Sequence, residues 1–152
     1  MTYPPYPMPT AHHRALEKYV LDGYPQPIPL VIYRFLYLFA GNTYSETRNG
    51  TLSLYDFCAA EACEGYYPER TAFVKQAIGC EVLLPVGHYE GGNLLMDEKG
   101  RVYCDAGCVV IIGNTPAEAI ANIHLGRSVE KIDPAKLDYT KQKCDTAGSE
   151  DQ

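Results

Sequence analysis

The stretch from Gly91 to Arg127, GGNLLMDEKGRVYCDAGCVVIIGNTPAEAIANIHLGR, decides the fold. Gly91-Gly92, Glu98-Lys99-Gly100 and Ala106-Gly107 punctuate three short runs, Asn93 to Asp97, Arg101 to Asp105 and Cys108 to Ile112. Links of two or three residues that contain Gly join antiparallel neighbours, because a parallel crossover needs about a dozen residues or more. The runs therefore form a meander. A helix follows at once. Thr115 stands at its N-cap, Pro116 at N1 and Glu118 at N3, the pattern of a capping box in which each end of the motif satisfies an otherwise orphaned amide. Ala119, Ile120 and Ile123 face the sheet at helical spacing, and Gly126 stops the helix.

Upstream, the pattern alternates between helix and strand. Thr10 caps a helix from Ala11 to about Asp22 that ends at Gly23, and the proline-rich stretch from Gly23 to Pro29 is a linker. Pro29 suits the first turn of a second helix ending near Ala40-Gly41, in which Ile32, Phe35, Leu36 and Phe39 keep the rhythm of one buried face. Its β-branched and aromatic content makes a buried strand the competing reading. Thr51 to Phe57 alternates as a strand, with Leu52 and Leu54 on one face and Ser53 and Tyr55 on the other. Pro68 to Ile78 is helical again and stops at Gly79; Cys80 to Val86 is an apolar strand that Pro85 confines to an edge or an end. These elements predict an α+β domain over residues 10–127: a curved antiparallel meander flanked by N-terminal helices and a C-terminal capped helix. Residues 1–9, rich in Pro and Tyr, read as a disordered terminus, with a polyproline ligand as the alternative. Residues 128–152 read as a polar tail.

The chain has 152 residues, enough for one domain with a sizeable core. MTYPPYPMP lacks the basic and apolar regions of a secretory signal, and the longest apolar run, Ile28 to Ala40, is too short to span a bilayer. The expectation is a cytoplasmic protein whose six cysteines, Cys58, Cys63, Cys80, Cys104, Cys108 and Cys144, are reduced thiols. The formal net charge is −6, and its placement is uneven: Glu46 to Glu118 holds eleven acidic and five basic residues, whereas the segments on either side are nearly neutral. Such a field repels nucleic acid and speeds encounter with a basic protein.

Four pieces in order resemble the SUKH superfamily of immunity proteins, nearest to the subgroup usually numbered third, which shares the Syd-related fold. Phe39-Ala40-Gly41 resembles the helix end that usually reads Phe-Gly-Gly, with Ala in place of Gly. Leu84-Pro85-Val86-Gly87 resembles the strand leading to a Pro-Leu/Val-Gly turn. Leu95 to Tyr103, LMDEKGRVY, resembles the Leu-x-Asp-x-x-Gly-Arg-Val-Tyr strand, and Ile112 to Ile120 the closing strand-turn-helix. The resemblance covers roughly Pro29 to Arg127, most closely in its last third. It implies an α+β fold and a protein that binds and inhibits a cognate polymorphic toxin, usually encoded beside it in bacteria, without cofactor or catalysis. Other members of the family have other binding roles.

The residues suit such a partner. Tyr occurs 13 times and Trp not at all, and Tyr anchors interfaces because it buries area at low entropic cost. Tyr55, Tyr66, Tyr67, Tyr89 and Tyr103 stand close in sequence to Asp56, Glu64, Glu69, Glu90 and Asp105, and Glu98 is a further contact candidate on an exposed turn. Together they propose an aromatic patch edged by carboxylates, fit for a basic toxin such as a nuclease. Core packing of these tyrosines is the competing account. Asp97 and Arg101 flank a turn, where Asp97 is expected to accept backbone amides and Arg101 to pair across the hairpin.

Enzyme chemistry has weaker support. Cys58-x4-Cys63 and Cys104-x3-Cys108 are the only spacings that suggest zinc, and the histidines stand far from both. Cys104 and Cys108 flank a turn and invite a thiol or zinc enzyme as an alternative. Cys80 with His88 is a possible nucleophile pair lacking an evident orienting group. The deaminase, phosphate-loop and nucleophile-elbow signatures are absent. A regulatory or scaffold binding module of the same fold is the remaining alternative.

Overall fold

The computed structural model describes residues 10–24 and 27–132. The Pro/Tyr-rich terminus, two residues of the linker, the end of the polar tail and Cys144 lie outside them. The order is α1 (Thr10–Leu21), α2 (Leu30–Phe39), β1 (Thr43–Arg48), β2 (Thr51–Asp56), α3 (Ala59–Gly65), α4 (Pro68–Ile78), β3 (Leu83–Tyr89), β4 (Gly92–Asp97), β5 (Val102–Asp105), β6 (Val109–Gly113), α5 (Pro116–Leu125) and β7 (Glu130–Lys131). The seven strands lie side by side in sequence order, and every neighbouring pair is antiparallel. The fold is an α+β meander.

Its middle is sandwiched between helices. Leu83, Leu84, Leu94, Leu95 and Met96 are fully buried, so β3 and β4 carry continuous apolar runs, as strands covered on both faces do. Leu84, Val86, Leu94, Met96, Val102 and Ile112 pack with α1, α2 and α5, through Tyr19, Ile32, Leu36, Ala119 and Ile123. The opposite face presents Leu83, Leu95, Tyr103, Val109 and Ile111 to Val74 of α4 and to Tyr66. Each such leucine contributes about 1.5–3 kcal/mol by leaving water.

The cap and the stop expected for the last helix are realised. Thr115 accepts the Glu118 amide at 3.1 Å, while the Glu118 carboxylate receives the Asn114 amide at 2.6 Å, one residue before the expected Thr115 amide. Gly126 closes α5 in the left-handed conformation, at φ 72°. Asp97 accepts the Lys99 and Arg101 amides at 2.9 and 3.0 Å, as the turn requires, and the Asp97 amide donates across to the Arg101 carbonyl. The competition at residues 30–39 resolves to helix, with Ile32, Phe35 and Leu36 buried.

Four features differ from the sequence reading. β1 and α3 occupy segments to which the sequence pattern assigned no element. Asn49 and Gly50, both with positive φ, link β1 to β2, and Asn-Gly is the strongest short hairpin signal. The strand expected at Cys80 to Val86 begins instead at Leu83, because the Glu98 carboxylate takes the Glu81 and Val82 amides at 3.1 Å and holds them out of the ladder. Pro85 lies in an internal strand, at a bulge between Pro85 and Gly87. β2 reaches β3 only through Tyr55 opposite Tyr89 and Asp56 opposite His88, so no strand flanks Pro85 on that side, and its carbonyl accepts the Tyr19 hydroxyl. Finally, the sheet continues past Arg127. Val129 and Ile132 donate to Ile111 and Val109, adding β7 to the edge of β6.

Candidate functional site

The β1–β2 hairpin is an arm, tied to the rest of the sheet by two residues of β2. Which of its faces turns inward is set by aromatic packing. Tyr44 stacks on Tyr55 with centroids 5.0 Å apart, and Tyr55 meets Tyr89 and Phe57 edge-on. Phe57 in turn meets Phe35 and Phe39 of α2. This aromatic face buries more area than two leucines offer. With period two along the strand, Leu52 and Leu54 must then point outward. They are 61% and 54% exposed, while Ser53 and Tyr55 between and beside them are buried.

The outward face is concave. Thr43, Leu52, Leu54, Tyr55, Asp56, His88, Glu90 and Gly91 line an open groove of about 480 Å³, large enough for several side chains. Its polar groups are positioned by the backbone. Asp56 is opposite His88, whose Nδ1 lies 3.0 and 3.1 Å from the two carboxylate oxygens, and the Cys58 amide donates to Oδ1 at 2.9 Å. Glu90 follows β3 in the left-handed conformation, at φ 47°; its amide donates to the Leu54 carbonyl and its carboxylate accepts Ser53 Oγ at 2.9 Å. Gly87 permits the arm to meet β3 here. A Cβ at that position would stand 2.0 Å from the Asp56 carbonyl oxygen.

The ten residues expected to meet a partner do not form one exposed patch. Tyr55, Tyr66, Tyr89, Tyr103 and Asp105 are buried. Tyr103 donates to Asp97 Oδ2 at 2.8 Å, and Tyr66 to Asp105 Oδ2 at 2.6 Å. Burial, reinforced by these carboxylates, pushes both phenols up. Burial alone would raise Asp105, but the Arg70 and Tyr66 hydrogen bonds outweigh it and hold the carboxyl below the usual range. Glu98 is half-buried and spent on the Glu81 and Val82 amides, which hold it low against its own desolvation. Glu64 and Tyr67 are exposed on a different, smaller depression beside Lys18 and Asp22. Of the ten, the groove gathers Tyr55, Asp56 and Glu90. Leu52, Leu54 and His88, which the aromatic-and-acidic pattern did not single out, complete it; the alternation of β2 grouped Leu52 with Leu54, and no signal within the strand told which of its faces is free.

Cys104 and Cys108 do not face each other across their turn. Cys104 is buried and Cys108 exposed, and Cys104 sits opposite Val110 rather than Cys108. Burial pushes the Cys104 and Cys80 thiols up to about 12, which disfavours the nucleophilic thiolate at both. Cys80 and His88 stand at opposite ends of β3. Among the described residues, no three His, Cys, Asp or Glu side chains gather where they could hold a metal, and no helix is long and apolar enough to cross a membrane. Compared with known proteins, the chain finds no match among family models, curated proteins or solved structures.

Proposed function

We propose that this chain is an immunity protein of the SUKH type, acting in the cytoplasm by stoichiometric binding of a cognate protein toxin. The observation that carries the reading is the pair of outward leucines, Leu52 and Leu54, set on a strand whose opposite face is locked into the core. Two adjacent leucines more than half exposed beside carboxylates form a ready contact surface. Their strand neighbours are held by stacked aromatics, so the surface is pre-organised, which lowers the cost of association. A binding protein needs nothing more, and inhibition follows if the bound surface covers the toxin's active site or substrate groove.

The acidic segment from Glu46 to Glu118, which supplies nearly all of the groove, favours a basic partner such as a nuclease. The test is co-expression of the chain with the toxin encoded beside it, scoring cell survival and then the stoichiometry of the purified complex. Survival with a one-to-one complex is the expected result. Death of the co-expressing cells, with no complex recovered, would leave a regulatory or scaffold binding module in place of immunity.

A further inference from the structure

We infer that the groove under the β1–β2 arm takes an extended, basic segment of the partner protein in which two apolar side chains alternate with others and are followed by Lys or Arg. This deepens the binding reading above and rests on it. The geometry supplies the order. Leu52, Leu54 and Asp56 lie on one face of β2 at every second residue, so they repeat at about 7 Å along the strand. An extended chain laid against them presents its own alternate side chains at the same spacing. Its register then reads apolar, apolar, basic.

The charge order supports that occupant. Asp56 ends the leucine row, and Glu90 stands at the rim, its amide on the Leu54 carbonyl. Asp56 keeps acceptor capacity beyond the His88 ring and the Cys58 amide, since a carboxylate offers about four lone-pair sites. Among the described residues, no Lys or Arg lines the groove. An acidic segment would meet Asp56 and Glu90, with the His88 ring already turned to Asp56, and a wholly polar one would leave the leucines in water. The smaller depression at exposed Tyr67 also holds Glu64 and Asp22, but it carries Lys18 and no row of alternating apolar side chains.

The probe is a synthetic peptide, Leu-Thr-Leu-Thr-Lys-Thr-Lys, fluorescently labelled, with one version carrying Glu for Lys and one carrying Ser for Leu. Binding to the full chain is read by anisotropy and located by amide chemical shifts. The expected result is saturable one-to-one binding of the first peptide alone, with shifts centred on Leu52, Leu54, Asp56, His88 and Glu90. A Leu52→Ser/Leu54→Ser double variant should weaken it about tenfold or more, Glu90→Lys should weaken it severalfold, and Leu38→Ser should leave it unchanged. Absence of binding, shifts centred elsewhere, or equal binding by the double variant would overturn the inference. The toxin assay separates it from the immunity reading. Neutralisation that survives the double variant sinks the groove and keeps immunity; peptide binding at the groove by a chain that fails to neutralise sinks immunity and keeps the groove.

Discussion

Arg70 grips Asp105 with two edges of its guanidinium: Nε lies 2.8 Å from Oδ2 and Nη2 3.1 Å from Oδ1. Asp105 is almost wholly buried and Arg70 largely so, and the pair ties α4 to the end of β5. The Tyr66 hydroxyl and the Gly107 amide complete the carboxylate's shell. Planar, two-point contact of this kind is the strong form of an ion pair. Asp105 is thus a brace of the fold, although its neighbours in sequence made it a contact candidate.

Asp105→Ala should destabilise the chain by about 3 kcal/mol, because it leaves a buried guanidinium without its partner. Chemical denaturation of parent and variant checks the value. The pH dependence has a definite sign. The folded carboxyl lies below its unfolded value, so its stabilisation is present above about pH 4 and is lost as pH falls further. Asp105→Asn should flatten that acid limb.

Gly87→Ala should cost several kcal/mol and loosen the arm, since the added methyl would overlap the Asp56 carbonyl, and overpacking against backbone is relieved only by moving it. Hydrogen exchange gives the readout: amides of β1 and β2 should lose protection before those of β4 and β5. Uniform loss across the sheet would contradict this account of Gly87.

His12 lies fully buried on α1, edge-on to Tyr33 at 4.6 Å and to Tyr37 at 5.5 Å. Desolvation depresses its pKa, outweighing a backbone contact with Leu36, and His13 adds to the depression. The unfolded chain therefore takes up this proton first as pH falls. Stability should be full above about pH 6.5 and decline below it. His12→Leu should flatten the decline between about pH 6.5 and the folded pKa, as followed by melting temperature.

Thr115→Ala should cost about 1 kcal/mol by orphaning the Glu118 amide. Glu118→Ala should cost less, as its target, the Asn114 amide, is exposed and can turn to water. Equilibrium unfolding of the two variants gives both values and their order.

The Leu52→Ser/Leu54→Ser double variant should keep the parent's stability within about 0.5 kcal/mol, because both side chains already face solvent. A loss of about 2 kcal/mol or more would place the leucines in the core and remove the basis for a contact surface there.

What the amino-acid sequence determined by itself was local. The turns at Gly91-Gly92, Gly100 and Gly107, the Thr115 cap, the Gly126 stop and the apolar period of α2 depend on a few adjacent residues, and each element formed where those residues placed it. The Asn49-Gly50 turn carried the same kind of signal for β1. Tertiary structure alone decided burial. Leu52 and Tyr55 are both apolar candidates for the core, and the outcome turned on Phe35, Phe39 and Tyr89, residues distant in sequence that pack only with the aromatic face. Pro85 could enter an internal strand because β2 stops short of it, and Asp105 became a brace because α4 brings Arg70 to it. Turn and cap energies act over a few residues, whereas the choice of inward face is a competition for the same core among elements far apart along the chain.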